Sequence, residues 1–208
     1  MASLSASEAL LRLREGNRRF VANVVSIEAL ASLARRADPL RRQEPVAIIL
    51  GCSDSRAPAE TIFDQGMGDL FVIRVAGNIV APSQIGSVEF AAERFGTRLV
   101  VVMGHTHCGA ISATVESLAD DTPPKSRNQL SITDRIMPVV SPLMGTDLAR
   151  DLPALLRTAM RANVSAAADH LRHGSRLLEE LLLGDGLRIV GAEYDIETGV
   201  VDFFDGAD

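Results

Sequence analysis

The 208-residue sequence predicts an α/β domain: a mostly parallel central sheet flanked by helices, closed by a C-terminal edge hairpin. Three observations predict it. Val46–Leu50, Leu70–Val75 and Leu99–Met103 are continuous β-rich apolar runs, the pattern of strands buried on both faces. Helical periodicity fills the intervals between them, and such alternation implies parallel pairing. Two further extended runs, Leu187–Ile196 and Val200–Phe204, flank Glu197-Thr198-Gly199, a turn that joins them as a hairpin.

The elements follow in order. Ser5-x-x-Glu8 is a capping box that opens the first helix, with Leu10, Leu13, Phe20 and Val21 on one apolar face. Residues 1–40 read as an N-terminal helical arm, and Arg41 to Pro45 as a polar lead-in to the first strand. Ala59–Phe63 is a short helix. Ser83–Phe95 is a longer one, with Ser83 as its N-cap and Gly96 as its stop. Ala110–Leu118 is helical and follows the third strand. Residues 119–147 read as an irregular insertion, because Pro123, Pro124, Pro138 and Pro142 interrupt any period; a short helix is expected near Ile132–Met137. Periodicity returns from Leu148 through Leu183, and Gly184-Asp185-Gly186 is a turn into the fourth strand. No internal repeat is apparent, and the length suits one domain over 1–208.

Composition narrows the function classes. Apolar content of 47% and charged content of 23% are ordinary for a globular protein. A net charge of −6 argues against nucleic-acid and anionic-membrane partners. The basic pairs Arg18-Arg19, Arg35-Arg36 and Arg41-Arg42 are interleaved with apolar residues and read as solvated helix faces. Neither a signal peptide nor a membrane span is expected, since no apolar run approaches roughly 18 residues. Two cysteines are too few for a disulfide scaffold, so a reducing, cytoplasmic setting is expected.

Both cysteines lie in short polar stretches just after predicted strands: C-S-D-S-R at Cys52–Arg56 and G-H-T-H-C-G at Gly104–Gly109. In parallel sheets, ligands gather at the carboxyl edge of the strands. Cys52 and His105 therefore project from the same edge, and Cys108 lies one turn beyond His105. Two thiols and an imidazole, with the Asp54 carboxylate near, suit zinc. Arg56 is placed to form a bidentate pair with Asp54. His107 shares the motif, but its side chain should diverge from those of His105 and Cys108.

These residues resemble the β-class carbonic anhydrases. C-S-D-S-R and H-x-x-C-G are signatures of that family. Leu13–Phe20 (L-R-E-G-N-R-R-F), Ile62–Asn78 (I-F-D-Q-G-M-G-D-L-F-V-I-R-V-A-G-N) and Ile189–Val201 are similar to it as well. The resemblance is weakest over Val21–Leu40 and Ala119–Val164. It implies one zinc ion held by Cys52, His105 and Cys108, with water or hydroxide in the fourth position, or Asp54 there in a closed form. Arg56 would hold Asp54 off the metal. Gln43 matches a bicarbonate-contacting glutamine of the plant-type branch, which reaches the site across a dimer interface. Phe71 matches an aromatic wall of the substrate pocket. Phe90 stands where plant-type members often carry tyrosine, so a hydroxyl contact is lost.

The activity implied is reversible hydration of CO2 to bicarbonate and a proton by zinc-bound hydroxide, with the Asp54–Arg56 pair as a gate. CO2 is small and uncharged, and a narrow apolar approach lined by Phe71, Phe90 and Val75 suits it. The resemblance further implies a homodimer or homotetramer. Two rival readings use the same ligands: a carbon disulfide or carbonyl sulfide hydrolase on the same scaffold, and a non-catalytic zinc protein with Asp54 as fourth ligand.

Overall fold

A computed structural model describes residues 4–27, 29, 43–122, 124 and 126–207. The pairs Arg35-Arg36 and Arg41-Arg42 lie outside the described residues, as do residues 1–3, 28 and 30–40 of the expected arm. The elements are α1 (Ala6–Val21), β1 (Ala47–Gly51), α2 (Ala59–Ile62), β2 (Leu70–Arg74), α3 (Pro82–Phe95), β3 (Leu99–His105), α4 (Gly109–Ala119), α5 (Arg127–Met144), α6 (Leu152–His173), α7 (Arg176–Gly184), β4 (Arg188–Tyr194) and β5 (Val201–Asp205). Single 3-10 turns occupy Ala76–Asn78 and Asp147–Arg150.

The five strands form one sheet in the order β2-β1-β3-β4-β5. The first four are parallel, and β5 closes the edge antiparallel to β4. The expected architecture is thus the observed one. Strand alternation divides the core into two layers. Ile48, Leu50, Val100 and Val102 face α3 to α7; Ala47, Ile49, Val101 and Met103 face α1 and α2. Both sides of β1 and β3 are buried, which is why their sequences are uninterrupted apolar runs.

The capping box forms as expected: the Ser5 hydroxyl accepts from the Glu8 N–H, and the Glu8 carboxylate accepts from the Ser5 N–H. The first helix is no free arm. Ala9, Leu10 and Leu13 are buried against the sheet, and Asn17 ties the helix to Ile62, Gly199 and Val201. Gly16 permits this close approach, because a Cβ there would lie 1.8 Å from the Phe63 carbonyl oxygen. Gly16→Ala tests the contact. Helix propensity favours alanine by about 1 kcal/mol, whereas overpacking costs about 1–3 kcal/mol or more. The opposing atom is backbone and cannot rotate away, so overpacking wins. The urea midpoint should fall by about 2 kcal/mol equivalents; an unchanged or higher midpoint would contradict it.

Three expectations need correction. The insertion expected over 119–147 is mostly a regular helix, α5, of 18 residues, with Pro138 and Pro142 inside it. Ser126 caps it through the Asn128 N–H, and burial of Thr133, Ile136 and Val140 offsets the backbone bonds the prolines cannot make. Ser83 is not the N-cap of α3. Ala81 holds that place and Pro82 is at the first helical position, where a missing N–H costs nothing. The third strand extends two residues beyond the expected end, so His105 is its last residue.

Candidate metal centre

The carboxyl ends of β1 and β2 are level in the register, Gly51 pairing with Arg74, and β3 runs two residues past Met103, its own partner for Gly51. Cys52 follows β1 directly, His105 ends β3, and Cys108 is the N-cap of α4. All three side chains are buried, and their ligand atoms lie within 4.8 Å of one another. One tetrahedral ion with bonds of about 2.0–2.3 Å can gather such a set.

The histidine is prepared for a metal. The Thr106 carbonyl lies 2.8 Å from Nδ1, which makes Nδ1 the donor and leaves the Nε2 lone pair free. Nε2 has no hydrogen-bond partner, although His105 is only 1% exposed. A buried ring nitrogen without a partner is costly, and a cation at the centre of the cluster supplies the missing contact. The donor set therefore fits zinc.

The thiols divide their charge. The Cys108 thiol donating to Cys52 holds the Cys52 thiol well below its ordinary value against the effect of burial, with help from His105 and the N–H groups of Asp54 and Gly77. Cys108 is pushed up by Cys52 and by burial, while the Ile111 and Ala110 N–H groups at the start of α4 pull the other way. A cation that displaces the remaining thiol protons gains two thiolates.

Asp54 stands beside this cluster, with Oδ2 3.9 Å from His105 Nε2. Arg56 holds it in a fork: Nε donates to Oδ1 at 3.0 Å and Nη2 to Oδ2 at 2.8 Å, while the Arg56 backbone N–H also donates to Oδ1. These Arg56 hydrogen bonds, opposed by partial burial, keep the carboxyl far below the usual carboxylate range. Arg56 is itself steadied by the His107 carbonyl at 3.3 Å. The His107 side chain turns outward to Glu197, as its divergence from the cluster requires.

Two contributors were not singled out from the sequence. Arg74, at the end of β2, donates to the carbonyls of Cys52 and Asp54 and so clamps the C-S-D turn from below. Gly77 donates its N–H to Cys52 Sγ at 3.4 Å. Both lie in the Ile62–Asn78 stretch, whose similarity to the family was the only available signal.

Within one chain Phe71, Phe90 and Gln43 lie away from the cluster, whereas Val75 borders it. Phe71 pairs with Ile48, four residues before Cys52, which is about 13 Å along the strand. It packs with Phe90 and Phe95, at centroid separations of 6.2 and 6.0 Å, on the β2 edge. Phe90 is 53% exposed. Gln43 is exposed and lies beside Gly68 on the same side of the molecule as β2. Val75 continues β2 past its end, where its N–H bonds the Gly51 carbonyl.

Known proteins are similar to this chain in sequence and in fold. The family model described as carbonic anhydrase matches residues 47–201. Carbonic anhydrase 2 of Mycobacterium tuberculosis is 36% identical over 187 residues, covering 90% of this chain and 87% of that one. A carbonic anhydrase of Pseudomonas aeruginosa is 37% identical, covering 80% of this chain and 76% of its own. Among solved structures, the β-carbonic anhydrase CcaA superposes with a TM-score of 0.70 at 27% identity, over 95% of each chain. Tetrameric β-carbonic anhydrases from Sordaria macrospora share the fold, with a TM-score of 0.71 over 85% of this chain and 91% of that one. The matched span holds all three donors and the Asp54–Arg56 fork, and the chain belongs to the β-class carbonic anhydrases.

Proposed function

We propose that this enzyme catalyses the zinc-dependent, reversible hydration of CO2 to bicarbonate and a proton, with Asp54 and Arg56 as its gate. The observation that carries the reading is the fork at Asp54. Its carboxylate is close enough to His105 Nε2 to compete for the same ion, yet both oxygens are engaged by Arg56. Cys52, His105 and Cys108 would hold the zinc. When bound, zinc supplies Lewis-acid activation of a water for attack on CO2. Arg56 keeps Asp54 withdrawn so that the fourth position stays free for that water. Asp54, held ionised with Oδ2 3.9 Å from His105 Nε2, would be placed to accept a hydrogen bond from that water. Arg74 fixes the main chain on which Asp54 turns, so exchange between partners needs only side-chain rotation.

Gln43, Phe71 and Phe90 are proposed to complete the substrate pocket of a second copy. Their place on the β2 edge, away from the chain's own cluster, supports a homodimer or a pair of dimers. The tetrameric relatives make that assembly natural. Both cysteines are free thiols, which suits a reducing compartment, and we place the enzyme in the cytoplasm. No helix among the described residues is long and apolar enough to cross a membrane.

The pH profile tests the assignment. The Arg56 hydrogen bonds favour the ionised carboxylate, so Asp54 takes a proton only well below the ordinary Asp value of about 3.9. Its titration contributes nothing near neutrality. Two thiolates acidify a zinc-held water less than three imidazoles, for which the water pKa is about 7. Hydration measured by stopped flow should therefore rise from mildly acidic to mildly alkaline pH, with zinc content constant across the series. A flat profile would overturn the assignment. Faster sulfide release from carbonyl sulfide or carbon disulfide than hydration of CO2 would transfer it to the related hydrolases.

A further inference from the structure

Asn163 lies on α6, in the part of the sequence that carries no motif, yet it is only 3% exposed. Its Nδ2 donates to the Gly77 carbonyl at 2.9 Å. Gly77 in turn donates its N–H to Cys52 Sγ at 3.4 Å. One buried amide on a 22-residue helix therefore reaches a ligand sulfur through a single intervening residue.

That residue has little freedom of its own. Gly77 has φ of +67°, a left-handed conformation that glycine adopts without strain. A Cβ there would lie 2.8 Å from Ile136 Cδ1 and 3.0 Å from Ala110 Cβ. Packing from α4 and α5 thus confines the turn on two sides, and the Asn163 amide fixes the direction of its carbonyl. The turn's other backbone bonds lie to either side of Gly77 and do not hold its carbonyl: the Asn78 N–H bonds the Val75 carbonyl, and the Val75 N–H bonds the Gly51 carbonyl. The Gly77 carbonyl and N–H sit on the two peptide groups joined at its Cα, so loss of the Asn163 donor would release the dihedrals of that glycine, and the N–H would leave the sulfur.

We infer that Asn163 is a positioning residue for the Cys52 thiolate: by orienting Gly77 it maintains the N–H···S hydrogen bond that withdraws electron density from that sulfur. The inference rests on the proposed role of Cys52 as a zinc ligand. An N–H donor on a ligand sulfur makes it a weaker electron donor to the metal, and groups one shell removed tune a site in this way. A stability role alone would need only some donor for the Gly77 carbonyl. The observed donor acts on a residue whose N–H faces the sulfur, the other such N–H being that of Asp54.

Cobalt-substituted protein separates the two roles. In Asn163→Leu, which keeps the branched shape and heavy-atom number of the side chain, and in Asn163→Ala, the thiolate-to-cobalt charge-transfer band should move to lower energy. Asn17→Ala is the matched control. Asn17 is an equally buried amide on the opposite face of the sheet, holding Ile62 and Gly199, and its loss should lower stability without moving the band. A wild-type spectrum in both Asn163 variants would overturn the inference. A second measurement needs no variant: in wild-type protein loaded with cadmium-113, the Gly77 amide proton should show scalar coupling to the metal through the sulfur, and its absence would also overturn it. A wild-type cobalt protein without any thiolate charge-transfer band would overturn the metal-site reading, and this inference with it.

Discussion

Cys108→Ala should purify folded, contain no stoichiometric zinc and hydrate CO2 at the uncatalysed rate. Three donors converge here, and the third is not replaceable from nearby. The closest alternative, Asp54, is committed to Arg56 through both oxygens. Loss of an outer-shell partner typically costs roughly ten- to hundredfold in metal affinity, and loss of a ligand costs more. The fold should survive. Cys108 is small, the apolar cluster around it includes Ile111, Val115 and Ile136, and α4 keeps its remaining contacts. A further effect acts in the same direction. With Cys108 gone, Cys52 loses the thiol that does most to hold its own proton affinity down. The surviving sulfur then yields its proton to a metal less readily. Zinc content by atomic spectrometry, with circular dichroism on the same sample, decides the matter. Stoichiometric zinc in the folded variant would remove Cys108 from the ligand set.

The donors could be found from sequence because topology does the work. β1 and β3 are buried on both faces, so their apolar runs are unbroken, and parallel pairing sends both strand ends to one edge. Any Cys or His placed just past those ends must meet. The clamps could not be found in that way. Arg74 bonds backbone carbonyls, which every residue possesses, so nothing in the sequence marks its partners. As the last residue of a strand it reads as an ordinary surface charge. Asn163 acts through the peptide groups of Gly77 and is equally silent. Helix α5 was hidden for a different reason. Pro138 and Pro142 oppose a helix locally, whereas burial of Thr133, Ile136 and Val140 favours one, and only the folded chain contains that second contribution. Phe71 and Phe90 were expected at a substrate pocket from the family resemblance alone, and the fold places the two rings together on the β2 edge, a position that only the packed sheet reveals.

Arg56→Ala should retain zinc and lose hydration activity by roughly a hundredfold or more, the scale of a misplaced catalytic group. The substitution removes both guanidinium bonds to Asp54 but keeps the backbone N–H of residue 56, which still reaches Oδ1. Oδ2 is then left without a partner, 3.9 Å from the nitrogen that faces the metal position. A rotation of the carboxylate about its own Cβ is enough to bring it in, because Arg74 still fixes the main chain on either side. The carboxylate and the cation then satisfy each other, and the position needed by the water is filled. The distinguishing property is that zinc is retained while reactivity is lost. An added anion such as azide should perturb the spectrum of the cobalt-substituted wild-type protein, whose fourth position is open, and leave that of Arg56→Ala unchanged. Arg56→Lys should lie between them, since an ammonium offers charge without the two-pronged geometry. Normal turnover in Arg56→Ala, or an azide response equal to wild type, would show that Asp54 stays clear of the metal without Arg56, and the gate would have to be sought elsewhere.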